Sequence, residues 1–159
     1  MMNKQITRYI IRGFLCIVVL GLLYYPFYNG DSTTSIEVMD KTITKQMNQE
    51  LVAKQDATGL KRYMEINVKD TDGFVYYTSK SMMDVDEVLI IRLKSGDDGE
   101  QLRKAVTKRV DTQLKNFNGY GTNQCDLLNH HILITKKGYL FYATSKQADT
   151  WVQSVLAEL

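Results

Sequence analysis

The chain is poor in the residues that carry most protein chemistry. Its 159 positions hold two cysteines, two histidines, one tryptophan and one proline. Cys16 lies in an apolar run and Cys125 in the polar remainder, so a membrane across that run would separate them, and no intramolecular disulfide follows. The polar part, about 130 residues, must then be held by a hydrophobic core, and that length suffices. An excess of one charge is missing too. Lys4, Arg8 and Arg12 stand in the first twelve positions, which hold no acid; of 20 basic residues this leaves 17 against 18 acidic ones. A nearly neutral remainder has no electrostatic footprint for nucleic acid, which argues against that partner.

What is present starts with an apolar segment. From Gly13 to Tyr28, "GFLCIVVLGLLYYPFY" carries no charge. Counted from Tyr9 the stretch is about 20 residues, enough to cross ~30 Å of hydrocarbon, with Arg12 able to snorkel outward. Tyr24, Tyr25, Phe27 and Tyr28 cluster where aromatic rings favour the interface. The basic residues before the run place the N-terminus in the cytoplasm by the positive-inside rule. No small-residue cleavage site follows, and Cys16 lacks a preceding small residue for lipidation, so the segment reads as an uncleaved signal anchor. The expected organisation is a basic cytoplasmic tail over 1–12, a transmembrane anchor over 13–28, a linker over 29–35 and an outer domain over 36–159.

Within that domain, Thr34-Ser35-Ile36-Glu37 has the form of a capping box, and Ile36, Met39, Ile43, Met47 and Leu51 follow at helical spacing. This predicts a helix of about 18 residues, whose methionines read as core packing more readily than as a binding stripe. "GFVYYTS" and "DVDEVLIIRLK" read as strands. In the second, Val85, Glu87, Leu89, Ile91 and Leu93 share one face, and Val88, Ile90 and Arg92 the other, as suits a central strand. A helix follows, capped by Asp97 or Asp98, striped by Leu102, Val106, Val110 and Leu114, and ended by Gly119; its charged face reads as solvated surface. "ILITKKGYLFYATS" predicts a hairpin turning at Gly138, and a last helix follows Ser145. The expected fold is α+β: a transmembrane helix, then one two-layer domain of helices on an antiparallel sheet, in the order α-β-β-α-β-β-α.

No motif rises to a catalytic, cofactor or metal site. Cys125, His130 and His131 supply residue types for nucleophilic or zinc chemistry, but adjacent histidines entering a strand point to opposite faces and cannot easily clasp one metal. Asp70, Asp72 and Gly73, and likewise Asp97 and Asp98, begin like calcium loops without the later ligands. "GYGTNQ" lacks the lysine of a phosphate loop, and Asp86 and Glu87 point apart on a strand. Phe117, Tyr120, Tyr139 and Tyr142 are the candidates for a ligand or partner groove, weighed against plain core packing.

"LKRYMEINVKD", "DEVLIIRLK", "RVDTQLKNFNGYGTNQCDLL" and "KKGYLFYATS", in this order, resemble the domain of unknown function DUF4358 over roughly residues 36–157. The resemblance is most specific at Tyr63, at Asp86-Glu87, along Gln113…Phe117…Gly119-Tyr120 and at Gly138-Tyr139. It implies an extracytoplasmic protein of Gram-positive, mainly clostridial, bacteria, secreted or membrane-tethered, with no established activity. The combined expectation is a single-pass membrane protein that binds rather than catalyses, as an accessory or scaffold component of a cell-envelope complex. A ligand-sensing domain with a groove around Tyr120 is the alternative, and a cysteine-dependent enzyme using Cys125 the third.

Overall fold

The computed structural model describes residues 15–18 and 30–159. Two compact units divide the chain, Met1–Asp31 and Ser32–Leu159. The anchor expected over 13–28 lies outside the described residues except at Leu15–Val18, which are helical. Among the described residues no helix is long and apolar enough to cross a membrane.

The second unit is an α+β domain. It runs α1 (Ile36–Gln46), β1 (Val52–Lys54), α2 (Ala57–Met64), a 3-10 turn (Val68–Asp70), β2 (Phe74–Ser79) and β3 (Glu87–Arg92). Then come α3 (Glu100–Phe117), α4 (Thr122–Asn129), β4 (Ile132–Lys136), β5 (Tyr139–Thr144) and α5 (Ala148–Leu156). The five strands form one antiparallel sheet in the order β1-β2-β3-β5-β4. The expected order therefore lacked β1, α2 and α4. All three are short, so none shows more than a turn or two of periodicity.

The layer count is corrected as well. On one face of the sheet, Val88 and Ile90 of β3 pack with Met39 and Ile43 of α1 and Trp151, Val152 and Val155 of α5. On the other, Leu89 and Ile91 pack with Leu60 and Met64 of α2, Leu102, Val106 and Val110 of α3 and Leu128 of α4. A strand apolar on both sides must be covered twice, so the domain has three layers and not two.

Three local features depart from or sharpen the sequence reading. Helix α1 has 11 residues and stops at Gln46, leaving Leu51 exposed. The capping box does not form: Ser35 is the N-cap without a side-chain cap bond, and the Thr34 hydroxyl instead donates to the Glu158 carbonyl at 2.6 Å. Together with the Ser32 N–H donating to the Lys137 carbonyl (2.9 Å) and the Tyr139 hydroxyl donating to the Thr34 carbonyl, this docks the end of the expected linker onto the domain. The domain thus begins near Ser32. At α3 the N-cap is Gly99, again without a side-chain cap bond, and the two predicted aspartates form the turn before it, Asp97 accepting from the Gly99 N–H and Asp98 from the Glu100 N–H. The β4–β5 hairpin closes through Lys137 and Gly138, both at positive φ, as a two-residue turn requires.

Candidate functional site

Position 87 is where the alternation of β3 calls for an apolar side chain facing α3, and it holds a glutamate only 3% exposed. Tyr76 on β2 and Tyr142 on β5 both stand opposite Leu89, one step along the same face, so their phenols flank the carboxylate. The Tyr76 hydroxyl donates to Glu87 Oε1, and that of Tyr142 to Oε2 at 3.2 Å. Arg109 reaches down from α3, its Nε donating to Oε1 at 3.3 Å and Oε2 at 3.4 Å. A buried carboxylate costs several kcal/mol unless paired and hydrogen-bonded. Here two phenols and a guanidinium supply that compensation.

The electrostatics follow from burial. The Tyr76 phenol is pushed far above its ordinary pKa, first by desolvation and then by the neighbouring Glu87 charge. Tyr142 is raised for the same two reasons. Desolvation works against the charge on Arg109, but Glu87 outweighs it, and the guanidinium pKa lies above its usual value. Both phenols are therefore neutral donors at ordinary pH. Arg109 also lies over the Tyr63 ring, 5.3 Å from its centroid, and the Tyr63 ring meets Tyr76 edge-on at 6.4 Å. Thr144, the direct cross-strand partner of Glu87, is fully buried with a hydroxyl that has no partner among the described residues.

Above this cluster opens a cavity of about 330 Å³, lined among others by Tyr63, Thr78, Glu87, Arg109, Gln113 and Asn116. One wall is α3: Arg109, Gln113 and Asn116 recur at the i, i+4, i+7 spacing of one helical face. The opposite wall runs from Ser79 at the end of β2 along the β2–β3 loop to Asp86. A larger depression of about 480 Å³ lies between the 3-10 turn and the start of α3, beside Glu65, Ile66 and Leu102. It has no buried polar group at its base, and the cavity over Glu87 is the better built of the two.

The family described as a domain of unknown function, DUF4358, matches residues 45–145. The chain belongs to that family. No curated protein and no solved structure matches it. Tyr63, Tyr76, Glu87, Arg109, Gln113 and Tyr142 all fall inside the DUF4358 span, whereas α5 and all of α1 but its last two residues fall outside. Three parts on which the resemblance rests (Tyr63, Asp86-Glu87 and Gln113) meet at the cavity.

The four aromatic residues expected to share a groove are not brought together. Phe117 is buried, Tyr120 is 63% exposed, and the two rings lie 5.8 Å apart. Tyr139 and Tyr142 are fully buried on opposite faces of the sheet, because they lie three positions apart, an odd step, on one strand. Core packing and hydroxyl bonding account for both. Cys125 sits half-buried in α4, packed against the α3-side core. His130 caps that helix, its Nδ1 lying 2.8 Å from the Asp126 carbonyl oxygen, and His131 Nδ1 lies 2.6 Å from that of Leu128. Among the described residues no hydrogen bond joins the thiol to either ring. The residues that do converge were legible only in part: Glu87 stood out as the acid on an apolar face, but Tyr76, Tyr142 and Arg109 lie 11, 55 and 22 positions away.

Proposed function

We propose that this DUF4358 protein is a single-pass membrane protein with its N-terminus in the cytoplasm, whose outer domain binds a component of the cell envelope. It acts as a non-enzymatic accessory to an envelope complex, and its binding site is the cavity over Glu87. The sequence supports the tether, through the uncharged run Gly13–Tyr28 behind Lys4, Arg8 and Arg12.

One observation carries the binding reading: the Glu87 carboxylate beneath an open cavity is engaged by three internal donors, Tyr76, Tyr142 and Arg109. A general base or nucleophile must offer a free lone pair to the substrate within hydrogen-bond reach. Here the acid is committed to holding Arg109 and the two phenols in place. Such a framework fixes the shape of a site in advance, which favours recognition. Tethering then raises the effective concentration of domain and partner beside the membrane, so that weak contacts suffice.

The test is complementation of a deletion strain. Residues 31–159 fused to an unrelated N-in anchor should restore the wild-type phenotype, and the same residues secreted without an anchor should not. Full rescue by the untethered domain would reject the accessory role and favour the sensing alternative.

A further inference from the structure

The cavity between α3 and the β2–β3 loop has two polar walls, with two cations, Lys80 and Arg109, and three carboxylates, Asp84, Asp86 and Glu87, in its lining. Arg109 is paired with Glu87, and Lys80 donates to the Gln49 carbonyl at 2.9 Å. An anionic ligand would find Arg109 already committed through its Nε to Glu87 and would face three carboxylates, Asp84, Asp86 and Glu87, against two cations. A cationic ligand fares little better. The Asp84 carboxylate accepts from the Val85 N–H at 2.8 Å. Asp86, whose pKa burial and then Asp84 push upward, already has the Ser145 hydroxyl and Lys146 beside it.

Most of the hydrogen-bonding groups left over are neutral. On α3 the Gln113 and Asn116 amides touch each other only through a long 3.4 Å contact, leaving one amide nitrogen and one amide oxygen for a ligand. Across the cavity, the Ser79 and Ser81 hydroxyls accept the backbone N–H groups of Ser81 (3.0 Å) and Met83 (3.2 Å), so each keeps a proton to donate. The terminal nitrogens of Arg109 make no hydrogen bond among the described residues. Both walls are fixed: Arg109 is held by Glu87 and Tyr63, and the loop by the Gln124 amide donating to the Met83 carbonyl at 2.9 Å.

We infer that this cavity takes a neutral, hydroxyl-rich ligand of the sugar class, gripped by the Gln113 and Asn116 amides on one side and the loop hydroxyls on the other. Each sugar hydroxyl both donates and accepts, and such a lining of planar amides, hydroxyls and a guanidinium pairs with vicinal hydroxyls. Tyr63 and Met82 add apolar surface for the carbon-bound hydrogens of the ring. The inference rests on the binding reading given above and names its ligand class.

The experiment is an NMR titration of the full chain, ¹⁵N-labelled and held in lipid nanodiscs. The probes are soluble neutral oligosaccharides of hexose and N-acetylhexosamine units, their uronate-bearing counterparts, and neutral dipeptides. The expected result is that the neutral oligosaccharides shift the Gln113 and Asn116 side-chain amide signals. Gln113→Ala with Asn116→Ala should weaken that binding roughly tenfold with an unchanged thermal midpoint, since two hydrogen bonds are lost. If uronate sugars shift these signals in preference, the neutrality of the ligand is overturned, and if dipeptides do, the sugar class is, while binding in the cavity stands. If neutral sugars bind the variant as well as wild type, the site is overturned. If no probe moves these signals, both the class and the binding reading fall.

Discussion

The Nε of Arg109 lies 3.3 Å from one carboxylate oxygen of Glu87 and 3.4 Å from the other, with side chains 16% and 3% exposed. This pair joins α3, the longest helix among the described residues, to the central strand at the base of the cavity. It is a framework contact first.

Breaking it from one side strands a buried charge. Arg109→Ala should therefore destabilise the domain by about 3–5 kcal/mol. Replacing both partners, with Glu87→Leu and Arg109→Met, should cost less than the sum of the two single changes. Urea unfolding of the four proteins closes the cycle. Additive losses would show that the two side chains do not act as a pair.

The buried phenols give a pH signature. Folded-state pKa values of Tyr76 and Tyr142 are raised above the unfolded phenol value, by burial and then by Glu87. Their contribution is thus fully present below about pH 10 and is lost as pH rises beyond it, because only the unfolded chain can ionise there. Absorbance at 295 nm should show these two tyrosines ionising together with the loss of far-UV circular dichroism. Smooth ionisation of every tyrosine in a folded chain would contradict their burial.

Cys125, His130 and His131 are expected to have no joint chemistry. Cys125→Ser with His130→Ala and His131→Ala should leave metal content unchanged. Stability should fall by ~1 kcal/mol, through the half-buried thiol and the His131 ring that lies 6.0 Å from Tyr142. Stoichiometric zinc in the wild-type chain, lost in the variant, would reverse this reading.

How far the sequence foretold the structure depended on what kind of signal each part emits. The alternation of β3 was plain, and its two-sided apolarity already implied cover on both faces, although the expected fold allowed only one. Helix α3 announced itself by its stripe, although its N-cap is Gly99 and not Asp97 or Asp98. Helix α2 did not: its eight residues bury only Leu60 and Met64 as large side chains, too few to set a period. Helix α4 lay hidden in the connection between Phe117 and His131 for the same reason. For the site, Glu87 is visible as an acid on an inward face, but strand alternation alone points Asp86 away from it, whereas both line the same cavity. The Arg109–Gln113–Asn116 stripe looked like any solvated helix face. Only the packing of α3 across the sheet turns it toward a cavity, and such long-range placement has no local sequence signal.

The most direct measurement of the central claim, that the cavity over Glu87 is occupied in the cell, is site-specific photocrosslinking in intact cells. A photoreactive p-benzoylphenylalanine replaces Asn116 on the cavity wall, and in a control replaces the exposed Lys41 on α1 in the opposite layer. The account predicts a defined envelope component attached at position 116, absent at position 41, and reduced when Gln113→Ala is added. No adduct at position 116, or the same adducts at both positions, would contradict it.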